Sequence, residues 1–367
     1  MIIQIPASCE GRLLRSYLQL TMGLSTTALS RLKKDERGIL VNGQHVTVRY
    51  VLHGGDVLSL ALDDKQTEAT ETVLPCEGPL DVLYEDDALI VLNKPAGTPT
   101  HPSHGHLTDT LANALAARYQ KEGVPFVFRP LGRLDRNTSG VVVCGKTQAA
   151  AGFLGNCLAD RTVVKRYLAL LDGELPPDGL THEIEVPILQ PAAGVRMRTA
   201  VADGTPGAEY ALTRYRVLAS GNGHTLVLAS PVTGRTHQIR VHFTSLGFPL
   251  TGDDVYGVPS PLIARQALHC VSLSLPMPFF SAQTAGRRGA VPSAADFDRL
   301  PAGTVLNRPS DDGWLHLWAE MPEDFRRAAE GAVPGCARGR DARGALPHTP
   351  LKDFLKEVLE NPKNFHK

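Results

Sequence analysis

Nine residues, Gly132-Arg133-Leu134-Asp135-Arg136-Asn137-Thr138-Ser139-Gly140, running straight into the β-branched series Val141-Val142-Val143, constrain this chain most. The Thr-Ser-Gly turn followed by valines predicts a tight loop that enters a strand, with Asp135 presented at the strand's edge. Two guanidinium groups flank that carboxylate and favour its ionised form. An ionised, positioned carboxylate can serve as a nucleophile or a base. It can also be no more than a surface ion-pair partner, and the R-x-D-R tetrapeptide alone leaves both readings open.

The 367 residues predict two domains and a tail, and 43% hydrophobic residues suffice for a packed core. Formal net charge is zero, so the chain carries no global basic signature for nucleic acid. A local basic stripe can still bind phosphate while acidic residues elsewhere cancel the total. Six cysteines (Cys9, Cys76, Cys144, Cys157, Cys270 and Cys336) are scattered without a C-x-x-C pair. They predict reduced, mostly buried thiols and a cytoplasmic protein. The first residues lack a basic stretch followed by an apolar run, so no secretory leader is expected. No run of about 18 apolar residues predicts a membrane span.

Residues 1–65 read as a small separate unit. Apolar residues at helical spacing predict a helix through Arg12–Leu18 and a second over Ser25–Lys34, capped by Ser25 or Thr26. Gly38–Gly43 predicts a strand entering an Asn-Gly turn, His45–Arg49 the returning strand, and Gly54–Leu60 a further turn and strand. Residues 66–79 are polar and read as a linker. From residue 80 onward, short strands surround an acidic turn at 82–95. A helix over 108–119 is expected to start at Thr108, with Leu111, Leu115 and Tyr119 on one face. Strands are expected at 141–145, 164–172, 208–218, 224–231 and 268–273, and a helix at 235–246. The irregular interleaving and the alternating strands predict an α+β domain over 80–330, built on a mixed, mostly antiparallel sheet. Residues 281–313 read as an inserted loop, Trp314–Trp318 as a half-buried strand, and 331–367 as a partly disordered tail with one short helix at 351–360.

Four sequence blocks occur in order: Leu92-Asn93-Lys94-Pro95-Ala96-Gly97 with His101-Pro102; the Asp135 loop; Lys165-Arg166-Tyr167-Leu168-Ala169; and Gly234-Arg235-Thr236-His237-Gln238-Ile239-Arg240-Val241-His242, continuing to Gly252-Asp253 and Tyr256-Gly257. Together they closely resemble the motifs of RluA-type pseudouridine synthases over about residues 80–280. The order of elements before residue 65 resembles, more loosely, an S-four-type RNA-binding domain. The resemblance implies the synthase fold, flanked by helices around a central cleft, and a reaction without metal or cofactor. In that reaction the bond from ribose C1′ to uracil N1 breaks, the base turns and C5 is joined instead.

By the same resemblance Asp135 is the reacting carboxylate, attacking the sugar or abstracting a ribose proton. Tyr167 stacks on the target base and its hydroxyl would serve in the final proton removal from C5, and Arg235 pairs with the aspartate. Arg133 enters the RNA stack as the uridine is flipped out, or else forms a second ion pair with Asp135. Lys94, Lys165 and Arg240 would line the phosphate path. Arg31, Lys33, Lys34 and Arg37 would form the RNA-facing surface of the N-terminal unit, although the charges alone describe a solvated helix end better. The cluster His101, His104 and His106 has no matching ligand set, so metal binding is not expected; His237 and His242 read as helix and core histidines. Many relatives carry histidine where Gly132 stands, a departure bearing on loop geometry.

The implied substrate is uridine in large-subunit ribosomal RNA, with transfer RNA as the competitor, acted on by a monomer. The alternatives are a non-catalytic RNA-binding or ribosome-assembly protein on the same fold, and a carboxylate-dependent glycoside or nucleoside hydrolase. The latter usually needs a second acidic residue, and the Asp135 loop offers none locally.

Overall fold

The structure, a computed structural model, describes residues 2–24, 26–61, 73–192, 194–195, 197–277, 307–309 and 314–333. The expected tail and its helix at 351–360 lie outside them, apart from residues 331–333. So does the expected 281–313 loop, apart from residues 307–309.

The N-terminal unit is a four-stranded antiparallel sheet in the order β1 (Ile2–Gln4), β4 (Val57–Leu60), β2 (Ile39–Val41), β3 (Gln44–His45). Asn42 and Gly43 both take positive φ, the conformation a two-residue hairpin requires. The returning strand stops at His45, shorter than the alternation predicts; Val46 and Val48 instead pack on the local core as loop residues. The first helix begins at Leu14, not Arg12: α1 (Leu14–Ser16) continues as a π turn through Thr21, and α2 spans Thr26–Leu32. Leu14, Leu18, Leu29, Leu52 and Leu58 fill this core, and Ala149 from the following unit completes it.

The larger unit is α+β, as its interleaved pattern predicts. Its sheet runs β5 (Val82–Glu85), β6 (Leu89–Lys94), β7 (Ser139–Gly145), β14 (Leu268–Pro276), β8 (Val164–Asp172), β13 (His224–Pro231), β12 (Leu212–Gly221), β9 (His182–Glu185). β16 (Trp314–Trp318) pairs with the second half of β14, and β15 (Arg308–Pro309) pairs with β16, so part of the expected loop is strand. A separate small ladder joins β10 (Ile188–Leu189) to β11 (Thr199–Ala200).

Both sheet faces are covered, and period-2 alternation sorts the side chains. On β8, Tyr167, Ala169 and Leu171 join one core cluster and Leu168 and Leu170 the other. The second cluster is closed by α6 (Glu323–Ala332) through Phe325, Ala328, Ala329 and Ala332, the i, i+3, i+4, i+7 stripe of an amphipathic helix.

Helix α3 runs Leu111–Lys121, three residues later than expected, because Thr110, not Thr108, makes the capping box with Asn113. The Asn113 side chain also donates to the Leu74 carbonyl, which docks the described end of the linker. Helix α4 (Gln148–Ala159) lies where the sequence reading placed no element.

Every strand pair among the described residues is antiparallel except one. β7 and β14 run parallel at Ser139↔His269 and Gly140↔Cys270, in the middle of the sheet. Gly140 is obligatory there: at φ 116° a Cβ would lie 2.1 Å from the Cys270 carbonyl oxygen. The Asp135 loop enters the sheet at this seam.

Candidate active site

The loop carrying Asp135 is anchored from four directions. The Thr100 hydroxyl donates to the Leu134 carbonyl (3.0 Å), and the Gly97 N–H donates to the Arg136 carbonyl (2.9 Å). Arg265 donates to the Asn137 carbonyl (3.0 Å). Lys94 donates to the carbonyls of Pro95, Thr98 and Arg136 at 2.7–3.0 Å. Lys94 is fully buried, and burial pushes its ammonium down to about 7. It ties two loops together and cannot line a phosphate path, which corrects the expectation for this residue.

A cleft of about 430 Å³ opens at the seam. Its walls include Arg133, Asp135, Arg161, Lys165, Tyr167, Arg235, His237 and Arg240. Six of the residues singled out from the sequence therefore meet in one place: Asp135, Tyr167, Arg235, Arg133, Lys165 and Arg240.

Their roles are rearranged. The guanidinium facing Asp135 belongs to Arg240, whose Nη1 lies 3.3 Å from Asp135 Oδ2. Arg235 turns away; it donates to Glu209 (2.6 Å) and to the Tyr210 carbonyl (3.0 Å). The reason is where helix α5 (Gln238–Ser245) starts. Gln238 accepts from the Arg235 N–H and the Thr233 hydroxyl, and His237 adopts a left-handed conformation (φ 58°), so residues 235–238 form a turn and not the first helical turn expected from 235. Arg240 then projects inward from the helix.

Arg240 is also not a phosphate ligand, contrary to expectation. Its side chain is only 5% exposed and forms a fork with Asp253, Nε and Nη2 each donating at 2.7 Å. Burial alone would raise the Asp253 carboxyl, but its bonds to Arg240 and to the N–H groups of Val255 and Tyr256 outweigh this and hold it below the usual carboxylate range. Arg240 further stacks over the Tyr256 ring at 4.9 Å. An oriented guanidinium is thus locked in place with Nη1 left for Asp135.

Asp135 itself is 19% exposed. Neither flanking arginine pairs with it: Arg136 donates to His106 (3.3 Å), and Arg133 is exposed, with no side-chain hydrogen bond or ion pair among the described residues. Tyr167 is buried on β8 opposite Ala229 and Cys270. Burial, with Cys270 beside it, pushes its hydroxyl well above the ordinary value, which suits a packing surface better than a base. Lys165 sits half-buried, its ammonium lowered by burial and 3.5 Å from the Leu131 carbonyl. Gly132, at φ 77°, leaves room for that ammonium, since a Cβ there would lie 3.3 Å from it.

Sequence reasoning missed Arg161, Asp253 with Tyr256 as the Arg240 clamp, and His237 as a cleft residue. His242 is a core histidine as expected, bonded to Thr213 and the Val186 carbonyl. Arg31, Lys34 and Arg37 line a separate concavity of about 570 Å³ on the N-terminal unit, together with Asp35 and Glu36; Lys33 is exposed beside it. Among the described residues no group of three or more His, Cys, Asp or Glu side chains is placed to hold a metal ion, and no helix is long and apolar enough to cross a membrane. His106 bonds Asp109 (2.7 Å).

The RNA pseudouridylate synthase family matches residues 88–245. The uncharacterized RNA pseudouridine synthase YjbO of Bacillus subtilis is 36% identical over 69% of this chain and 87% of its own length. Ribosomal large subunit pseudouridine synthase D of Nitrosomonas europaea is 36% identical over 66% of this chain and 71% of its own. Among solved structures, human RNA pseudouridylate synthase domain containing 4 covers 68% of this chain and 92% of its own at 23% identity, with a TM-score of 0.47. The chain belongs to the RNA pseudouridine synthase family. It is an isomerase that acts on RNA.

Proposed function

We propose that this enzyme converts specific uridines of large-subunit ribosomal RNA to pseudouridine, with Asp135 as the reacting carboxylate and the target nucleotide extruded into the cleft. The observation that carries this reading is a single ionisable carboxylate facing a cleft of one-nucleotide scale, held by a loop with four anchors and addressed by one immobilised guanidinium. A base stacked in a helix is out of reach of such a group, so the uridine must leave the stack.

Asp135 then attacks ribose C1′ or removes a ribose proton. The C1′–N1 bond breaks, the uracil turns within the cleft, and the C1′–C5 bond forms as Asp135 is expelled from C1′ or returns the ribose proton it took. N1 gains a proton and C5 loses one, so composition is unchanged. Tyr167 supplies the face against which the base turns. Arg240 keeps the carboxylate oriented.

Arg133 and Arg161, exposed at the cleft and free of side-chain partners among the described residues, take the backbone phosphates. Lys165 adds a cation deeper in. The unit over residues 1–65 serves as an S-four-like RNA-binding domain through Arg31, Lys33, Lys34 and Arg37, joined by the 66–79 linker to the catalytic domain over 80–330. Arg235, committed to Glu209, shapes the cleft wall. Ribosomal RNA is favoured because relatives at 33–36% identity are named for the large subunit; transfer RNA is the competitor. The enzyme works as a cytoplasmic monomer, in keeping with its free thiols at Cys9, Cys76, Cys144, Cys157 and Cys270.

The test is incubation of the wild type and Asp135→Asn with ribosomal and transfer RNA transcripts, followed by carbodiimide-based primer extension. Stops with wild type alone, on large-subunit RNA, are expected. Stops that persist with Asp135→Asn would end the reading.

A further inference from the structure

Five described residues other than glycine hold positive φ: Asn42, Arg161, Asn222, His237 and Asn307. Asparagine tolerates that region; other side chains meet a steric penalty there. The two that are not asparagine, Arg161 and His237, both line the cleft. Strain of this kind persists where the surrounding structure enforces it, and it concentrates at functional sites.

The His237 ring is tightly specified. Its Nδ1 lies 2.8 Å from the Tyr256 hydroxyl. That oxygen already accepts the Arg198 N–H at 2.8 Å, so the Tyr256 proton is free to go to Nδ1. An imidazole accepting at Nδ1 carries its proton on Nε2. Nε2 faces Asp135 Oδ2 at 3.9 Å, the same oxygen that Arg240 addresses.

We propose that His237 is a positioning residue for Asp135: a neutral imidazole, its tautomer fixed by Tyr256, directs Nε2–H at the carboxylate and closes on it when substrate fills the cleft. The proposal rests on Asp135 being the reacting group. Active-site hydrogen bonds that are long in the empty enzyme shorten in the complex.

The groups facing the ring are Asp135 from the loop, Arg240 from its own helix, and Arg198, Asp253 and Tyr256 from the flanking loops. Burial lowers the imidazole, Asp135 and Asp253 oppose this, and Arg240 and Arg198 reinforce it; the net shift is downward. The ring is therefore neutral at neutral pH. On acidification it gains a proton at Nδ1, displaces the Tyr256 donor, and holds Asp135 as an ion pair that blunts the reactivity of the carboxylate. An acid limb in the rate follows.

The test compares wild type, Asp135→Asn, His237→Gly, His237→Gln and Tyr256→Phe in single-turnover conversion of a large-subunit RNA transcript between pH 5 and 9, with melting temperature and RNA affinity measured alongside. His237→Gly should melt no lower than wild type, since glycine suits the backbone, and bind RNA unchanged, yet react about tenfold or more slowly. His237→Gln, which keeps a donor at the matching reach, should recover part of the rate and lose the acid limb. Tyr256→Phe should move that limb to higher pH, because Nδ1 loses its donor. A His237→Gly enzyme with the wild-type rate and pH profile would overturn the proposal, as would a slow one whose profile is unchanged and whose Gln counterpart fares no better. If Asp135→Asn still isomerised uridine, the underlying reading would fall, and this one with it.

Discussion

Replacing Arg161 by glycine should stabilise the enzyme and weaken its hold on RNA. Helix α4 ends with the Thr162 N–H bonded to the Cys157 carbonyl and the Arg161 N–H bonded to that of Leu158, the double closure in which the residue at Arg161's place is normally glycine. Arg161 sits there at φ 55°. A left-handed conformation costs a side-chain-bearing residue roughly 1–2 kcal/mol. Glycine returns part of this through the greater freedom of its unfolded chain, roughly 0.5–1 kcal/mol. The net gain is therefore about 0.5–1 kcal/mol, a rise of one to a few degrees in Tm. Nothing opposes it, because the exposed Arg161 side chain makes no hydrogen bond or ion pair among the described residues.

On the RNA side, one phosphate contact disappears. Affinity should fall by roughly tenfold at moderate salt, and the slope of log K against log salt should lessen by about 0.7–0.9. Differential scanning calorimetry and filter binding at four salt concentrations measure both. Arg161→Ala is the control: it should lose the same RNA affinity without gaining stability. A glycine variant that melts lower, or binds RNA with an unaltered salt slope, would refute the reasoning.

Three further outcomes are expected. Lys94→Met should leave RNA affinity and its salt slope unchanged but slow the reaction and cost about 2 kcal/mol in urea unfolding, because three loop carbonyls lose their donor. Asp253→Asn should destabilise by about 3 kcal/mol and abolish most activity, since it breaks a buried pair and frees the guanidinium that faces Asp135; an active, equally stable variant would contradict the clamp. His269 is fully buried between Ser139 and the Ala319 carbonyl, and burial pushes it down to about 4. Its folded form thus resists a proton that the unfolded chain accepts near 6.5. Stability should be intact above pH 6.5 and fall by roughly 3 kcal/mol as pH drops from there to about 4. His269→Gln should flatten that slope.

What could be read from the sequence was what local chemistry decides. Strands 164–172 and 224–231 have the bounds that their β-branched, apolar runs suggest, and the Asn42-Gly43 hairpin follows from the left-handed tolerance of those two residues. Helix α4 was missed although Thr147 caps it and Ala149, Ala150, Phe153, Leu154 and Cys157 recur at helical spacing; its two glycines and small residues weaken the periodic signal. The location of the cleft was legible, because three of the four motif blocks line it and the first, through Lys94 and Gly97, anchors its Asp135 loop. The division of labour among its arginines was not. Arg235 and Arg240 are five residues apart in one block, and which one reaches Asp135 depends on a helix that starts at 238 and not 235. That start is set by the strained His237 and the Gln238 side chain, and the inward pose of Arg240 by Asp253, thirteen residues on.

The arrangement solves a conflict that the sequence alone poses. A carboxylate flanked by Arg133 and Arg136 would be quenched if either closed on it, and an arginine so engaged could not hold RNA. The fold separates the two tasks. The loop anchors turn both neighbours outward, Arg136 to His106 and Arg133 to open solvent at the cleft. The cation for Asp135 comes from 105 residues further along the chain, with two of its nitrogens already committed to Asp253. Such a guanidinium cannot swing away to a phosphate, and the exposed arginines point away from Asp135. Charge near the reacting group is therefore fixed before RNA arrives, whereas charge at the rim stays mobile enough to follow a backbone. This is the preorganisation that electrostatic stabilisation requires. It also explains why losing Asp253 should harm catalysis more than losing either arginine beside Asp135.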